Sequence, residues 1–136
     1  MDPNTPIETL MTVLPYTVGS QQTVDYARSL MAQHGIRHLP VLHGGQLDGI
    51  VSERDLALAT SLDGVDPSKS TVEEAMTSNP YAVPRGARLG AVIREMADHK
   101  YGSALVVEGN SVVGIFTVSD AVAIFARVLE EPPAGS

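Results

Sequence analysis

The chain is one unit written twice. Displacing the sequence by 65 residues brings residues 7–59 onto residues 72–124 without a gap, and 14 of the 53 paired positions are identical. The identities are Glu8/Glu73, Met11/Met76, Thr12/Thr77, Pro15/Pro80, Tyr16/Tyr81, Val18/Val83, Met31/Met96, Ala32/Ala97, His34/His99, Val41/Val106, Gly44/Gly109, Gly49/Gly114, Ile50/Ile115 and Asp55/Asp120. Most other pairs keep their apolar or polar class. A fixed offset of this kind requires each copy to build the same supersecondary unit. A single copy buries too little surface to stand alone, so the two copies are expected to share one globule.

Copy one reads as follows. Thr5-Pro6 predicts a short helix over Ile7–Met11, and Pro15–Val18 is extended. Thr23 caps a helix from Val24 to about Gln33, whose apolar residues Val24, Ala27, Leu30 and Met31 fall at helical spacing. Gly35 suits the left-handed residue that ends it. Leu39–Leu42 and Leu47–Val51 form a hairpin turned by Gly44-Gly45, and Ser52 caps a last helix from Glu53 to about Thr60. Copy two repeats this as Val72–Met76, Tyr81–Val83, Leu89–His99, Ala104–Val107, Val112–Thr117 and a helix from Val118 to about Leu129. The expectation is an α+β fold of two tandem β-α-β-β-α repeats, residues 7–60 and 72–129, packed by their sheets about a pseudo-twofold axis. A linker rich in Asp, Gly, Pro and Ser joins them at 61–71. Residues 130–136 (EEPPAGS) read as a disordered tail. Two equivalent clefts should lie between the repeats.

Composition narrows the function. The 136 residues carry a net charge of −7, with no basic stripe of the kind that neutralises a nucleic-acid backbone. The acidic balance also argues against anionic lipid. No cysteine is present, which removes disulfides, thiolate catalysis and Cys-based zinc sites. The N-terminus lacks the basic and apolar regions of a secretory signal, and no apolar run approaches the ~18 residues of a membrane helix. A cytoplasmic protein is expected.

Each copy contains one corner that could hold a ligand. Copy one reads Gly49-Ile50-Val51-Ser52-Glu53-Arg54-Asp55 and copy two reads Gly114-Ile115-Phe116-Thr117-Val118-Ser119-Asp120. A hairpin strand runs straight into a helix, with a hydroxyl at the junction and an acid three residues on. The plainest reading is a capping box. The same geometry also offers free N–H groups and partial positive charge to a phosphate, a hydroxyl donor, and a carboxylate able to grip the two hydroxyls of a ribose. Gly49 and Gly114 would let a ligand approach the backbone.

This corner, together with the upstream Gly-Ile-Arg-His-Leu-Pro-Val strand entry and the tandem arrangement, resembles the CBS (cystathionine β-synthase) domain, and the pair resembles a Bateman module. The resemblance covers residues 7–128, so it implies a stand-alone pair. It implies a regulatory sensor that binds AMP, ADP, ATP or S-adenosylmethionine in the clefts, with Mg²⁺ if the ligand is ATP, and does no chemistry. It also implies a homodimer formed through helices and a regulated partner protein. In the first cleft it assigns Asp55 to the ribose, Ser52 and the helix start to phosphate, and Ile50 to the base. Arg37, His38 and Arg54 become phosphate contacts, and Ala82 and the Tyr101 region close the cleft. In the second cleft Asp120, Thr117 and Ile115 take the matching roles, with Thr17 and Ile36 from copy one. Gly102 and Ser103 stand where copy one has Arg37 and His38, so the second cleft should favour less anionic ligands or bind weakly. An interaction scaffold of the same fold, with vestigial clefts, is the alternative.

Other residues carry less. His34 and His99 occupy matching late-helix positions that suit the helix dipole. His38 and His43 lack the partners a zinc site needs. The repeat-matched methionines suit core packing. No nucleophile elbow, zinc-protease motif or P-loop occurs.

Overall fold

Gly44 and Gly45 both adopt positive φ, 58° and 80°, the mirror-image turn whose twist matches a two-residue hairpin. They join β3 (His38–His43) to β4 (Gln46–Ser52) in antiparallel register. The computed structural model describes residues 1–132. Copy two builds the same hairpin from β7 (Ser103–Glu108) and β8 (Ser111–Thr117). A short parallel strand flanks each hairpin, β2 (Val18–Gly19) beside β3 and β6 (Ala82–Val83) beside β7. The hairpins lie against each other, and the Leu47 N–H donates to the Asn110 carbonyl at 3.1 Å.

The helices follow the expected signals unevenly. α1 (Val24–His34) is capped by Thr23, whose hydroxyl accepts from the Tyr26 N–H, and ends on left-handed Gly35. The equivalent α4 (Leu89–His99) starts at Arg88 without a side-chain cap and ends on left-handed Lys100. α4 therefore relies on packing, with Leu89, Val92 and Met96 buried. α2 (Glu53–Thr60) and α5 (Val118–Glu130) run directly out of β4 and β8. Glu130, read from sequence as the start of a tail, is the last residue of α5, while residues 133–136 of that tail lie outside the described residues.

The start of each copy corrects the sequence reading. The predicted helix over Ile7–Met11 is a single 3-10 turn, Ile7–Thr9, with no side-chain cap. The chain then enters β1 (Thr12–Val13), which pairs with β8 of copy two. Copy two does the reverse. After α3 (Val72–Ala75), β5 (Thr77–Ser78) pairs with β4 of copy one. Each four-stranded sheet, β1-β8-β7-β6 and β2-β3-β4-β5, thus borrows an edge strand from the other copy. The cores are exchanged as well. Ile7 and Met11 pack among Val83, Leu89, Val92, Met96, Val106 and Phe116, while Val72 packs among Val24, Leu39, Val41, Val51 and Leu56. A helix of one turn gains too little from its own hydrogen bonds to persist, and these segments find their stability in the neighbouring copy.

The crossing strands also explain the paired glycines, in place of the ligand approach expected from sequence. A Cβ on Gly49 would meet the Thr77 carbonyl oxygen at 2.6 Å, and one on Gly114 would collide with the Met11 thioether. The linker end is docked too. The Val24 N–H donates to the Ser70 carbonyl and the Val72 N–H to the Gln22 carbonyl, at 2.9 and 2.8 Å.

Candidate functional site

Both corners form the capping box read from sequence. The Asp55 N–H donates to Ser52 Oγ at 3.0 Å and the Ser52 N–H to Asp55 Oδ2 at 2.9 Å. In copy two the Asp120 N–H donates to Thr117 Oγ1 at 3.2 Å and the Thr117 N–H to Asp120 Oδ2 at 2.8 Å. The Thr117 hydroxyl also reaches Asp120 Oδ2 at 3.0 Å. In each acid the second oxygen, Oδ1, has no protein hydrogen bond among the described residues. The cap therefore holds each carboxylate in one rotamer and leaves one oxygen as an acceptor.

Each free oxygen belongs to a residue that lines a cavity between the copies. The first cavity, of about 600 Å³, is lined from copy one by Arg37, His38, Ile50, Ser52, Arg54 and Asp55, and from copy two by Asn79, Pro80, Tyr81, Lys100, Tyr101, Gly102 and Ser103. The second, of about 780 Å³, is lined by Ile115, Thr117, Ser119 and Asp120 from copy two, and by residues 12–16 and 35–38 of copy one. Of the thirteen residues assigned from sequence, eleven thus line one or both cavities. Thr17 and Ala82 do not. The preceding residues of the same copies, Tyr16 and Tyr81, stand at those walls, because a phenol ring reaches where a methyl or hydroxyl does not.

These tyrosines were not assigned to either cleft from sequence. Their one signal in the sequence is the matched pair of aromatics in a chain that has just six Phe and Tyr residues. Tyr16 stacks on His34, ring centroids 3.7 Å apart. Tyr81 stacks on Tyr101 at 5.1 Å, and Tyr101 on His99 at 5.2 Å. The late-helix histidines thus back the aromatic walls of the clefts, and His99 also meets Glu95 at 3.0 Å. Burial, with Glu95 and Tyr101 adding to it, pushes the Tyr81 phenol above its usual range, so it stays neutral.

The charges differ between the clefts. Arg54 and Lys100 line the first cavity alone. Arg37 and His38, expected only in the first, line both. The reason lies at the pseudo-axis, where positions 37–38 meet their equivalents 102–103. A Cβ on Gly102 would stand 2.9 Å from His38 Nε2, so copy two yields the space that the imidazole fills. Burial lowers the His38 pKa from its ordinary 6.5, Asp55 opposes that shift, and Arg37 reinforces it. Arg85 lies outside both cavities and is engaged with Glu108 and Glu8. No group of three or more metal-ligating side chains assembles among the described residues, and no helix there is long and apolar enough to cross a membrane.

Known proteins share this architecture. The CBS domain model matches residues 2–61 and 72–127. The CBS domain-containing protein YhcV of Bacillus subtilis is 32% identical over 114 residues, 84% of this chain and 81% of that protein. A crystal structure of the CBS domain pair of protein MJ0100, in complex with 5′-methylthioadenosine and S-adenosyl-L-methionine, superposes with a TM-score of 0.83 at 28% identity, covering 93% of this chain and 99% of that one. Hypoxic response protein 1 of Mycobacterium tuberculosis is 28% identical over 104 residues, 76% of this chain and 73% of that protein. Its structure, which holds two coordinated zinc ions, gives a TM-score of 0.77 at 25% identity over 88% of this chain and 98% of that one. With two copies of the corner, exchanged edge strands and two clefts between the repeats, the chain belongs to the CBS domain family as a tandem pair, a Bateman module.

Proposed function

We propose that this CBS pair is a non-catalytic sensor that binds adenosine-containing ligands in its two clefts. One observation carries the reading. Two capped carboxylates, Asp55 and Asp120, each keep an oxygen without a partner among the described residues, and each residue lines a cavity between the repeats. Such an oxygen suits a ribose diol, and the adjoining helix start suits a phosphate. The base would lie between Ile50 or Ile115 and the facing tyrosine. Arg37, His38, Arg54 and Lys100 favour AMP, ADP or ATP in the first cleft, with Mg²⁺ entering as the counter-ion of ATP. Val13, Leu14, Pro15 and Ile36 favour a less anionic adenosyl ligand in the second. The adenosyl ligands of the MJ0100 pair support this class.

Ligand would bridge the repeats and bias their relative angle only as far as it binds the two arrangements unequally, and a partner protein would read the result. A homodimer is part of the proposal. Val118, Val122, Phe125 and Leu129 form an exposed apolar stripe at helical spacing on α5, and Phe125→Glu should yield a monomer in light scattering.

The test is a thermal-shift and calorimetry panel of AMP, ATP, S-adenosylmethionine and NAD. A ligand at 100 times its Kd adds ~2.7 kcal/mol of stability. Stabilisation by an adenosyl compound supports the sensor. No response to any of the four supports the scaffold.

A further inference from the structure

The two clefts have separate acids and separate hydroxyls but share two basic side chains. Arg37 and His38 line both cavities. The first cavity has Arg54 and Lys100 besides, whereas the second has no other basic residue on its walls. The arginine is free to serve either side. Its side chain is 78% exposed and, among the described residues, tethered only by a 3.8 Å ion pair with Glu53, a contact of small worth at a surface. The imidazole is fixed between the clefts by the room left at Gly102.

A phosphate drawn into the first cleft would engage Arg37, favour a proton on His38, and place its own negative charge beside the second cleft. A phosphate entering the second cleft would then meet no uncommitted cation. An uncharged nucleoside needs none, because Asp120, Thr117 and the apolar wall serve the sugar and base alone.

We propose that Arg37 and His38 form a shared basic pair that makes the clefts mutually exclusive for anionic ligands, so that one chain holds one phosphate-bearing nucleotide while its second cleft is left to a neutral or cationic adenosyl compound. This rests on the sensor reading above and adds a rule of occupancy to it. The coupling is reciprocal, as any linkage between binding sites must be.

The experiment is calorimetry with AMP and with adenosine on the full chain and on Asp55→Ala and Asp120→Ala, each of which isolates one cleft. AMP should bind the second cleft of Asp55→Ala about tenfold more tightly than it binds the second cleft of the AMP-loaded wild type. Adenosine should bind the second cleft equally well with and without AMP in the first. Arg37→Gln in the Asp55→Ala background should weaken AMP and spare adenosine, which shows that the cleft is intact. Two AMP sites whose wild-type isotherm is the sum of the single-variant isotherms would overturn the shared pair and leave the sensor standing. Exclusion of adenosine by AMP would overturn it as well, since the cause would then be steric. No binding of either compound to any of the proteins would overturn the sensor reading and this inference with it.

Discussion

The two clefts began as the same stretch of sequence, and their strand-to-helix corners remain nearly superimposable in hydrogen bonding. Ser52/Asp55 and Thr117/Asp120 make the same reciprocal bonds. The walls have diverged. The first cleft has four basic residues and a stacked Tyr81–Tyr101 pair, while the second has Leu14, Pro15 and Ile36 with two borrowed basic residues. Duplication copies a local device faithfully. It cannot copy what lies on the axis, because there the two equivalents compete for one space. Gly102 concedes that space to His38.

The largest expected effect separates the clefts directly. Asp55→Ala should weaken AMP at the first cleft on the order of 100-fold, the worth of a lost hydrogen bond or two to a charged group. Asp120→Ala should leave that site near its wild-type affinity. Each variant also loses half of a capping box, which costs ~1 kcal/mol of stability. Melting curves therefore accompany the titrations, and equal effects of both variants on the same site would erase the distinction.

Next come the paired glycines. Gly49→Ala presses a methyl on the Thr77 backbone carbonyl, which cannot turn aside, and should cost about 2 kcal/mol in urea unfolding. Gly114→Ala presses on the Met11 thioether, a flexible side chain, and should cost clearly less. Equal losses would mean that the two crossing strands are equally rigid.

A smaller effect follows from His38. Its folded-state pKa lies below 6.5 because burial disfavours the cation. The unfolded chain therefore takes up the proton first. The group's contribution to stability is complete above about pH 6.5 and is lost as pH falls through the lowered folded value. A bound phosphate favours the imidazolium, so AMP binding should take up protons and gain from His38 as pH falls below neutrality. The phosphate titrates nearby, so the measurement is the difference between wild type and His38→Gln across pH 5.5–8 at ~0.5-unit steps. Parallel profiles would remove His38 from the phosphate site. Arg37, Arg54, Lys100, Glu53 and Asp55 share that cavity in both proteins.

The smallest effect concerns Leu14 and its equivalent Asn79, both in the left-handed region with φ 49° and 53°. Asparagine tolerates that conformation and leucine does not. Leu14→Asn should raise stability by less than about 1 kcal/mol while making the mouth of the second cleft more polar. Destabilisation would show that the exposed leucine side chain has a packing role.

Much of this was legible before any coordinates. The hairpins, α1, α4 and both capping boxes announce themselves through residues at most a few positions apart, such as Thr23 with Tyr26 or Ser52 with Asp55. The crossing strands did not. Thr12–Val13 and Thr77–Ser78 are two residues each, too short for any alternation to register, and their pairing partners stand far along the chain at Gly114–Ile115 and Gly49–Ile50. The tyrosine walls stayed hidden for a related reason. Tyr16 and Tyr81 show no site role along the chain and gain one only where the opposing repeat lies across them.

The sequence by itself determined that one unit occurs twice, that each unit presents a hydroxyl and a carboxylate at a strand-to-helix corner, and that the whole belongs with paired CBS repeats. Those are properties of neighbours along the chain, where spacing alone sets geometry. Only the tertiary structure decided that each repeat lends its first turn and strand to the other, and that Arg37 and His38 stand between two clefts. Both outcomes depend on which groups meet across the pseudo-twofold axis, and contact between residues as distant along the chain as Thr12 and Ile115 is governed by space and burial, which no local pattern encodes.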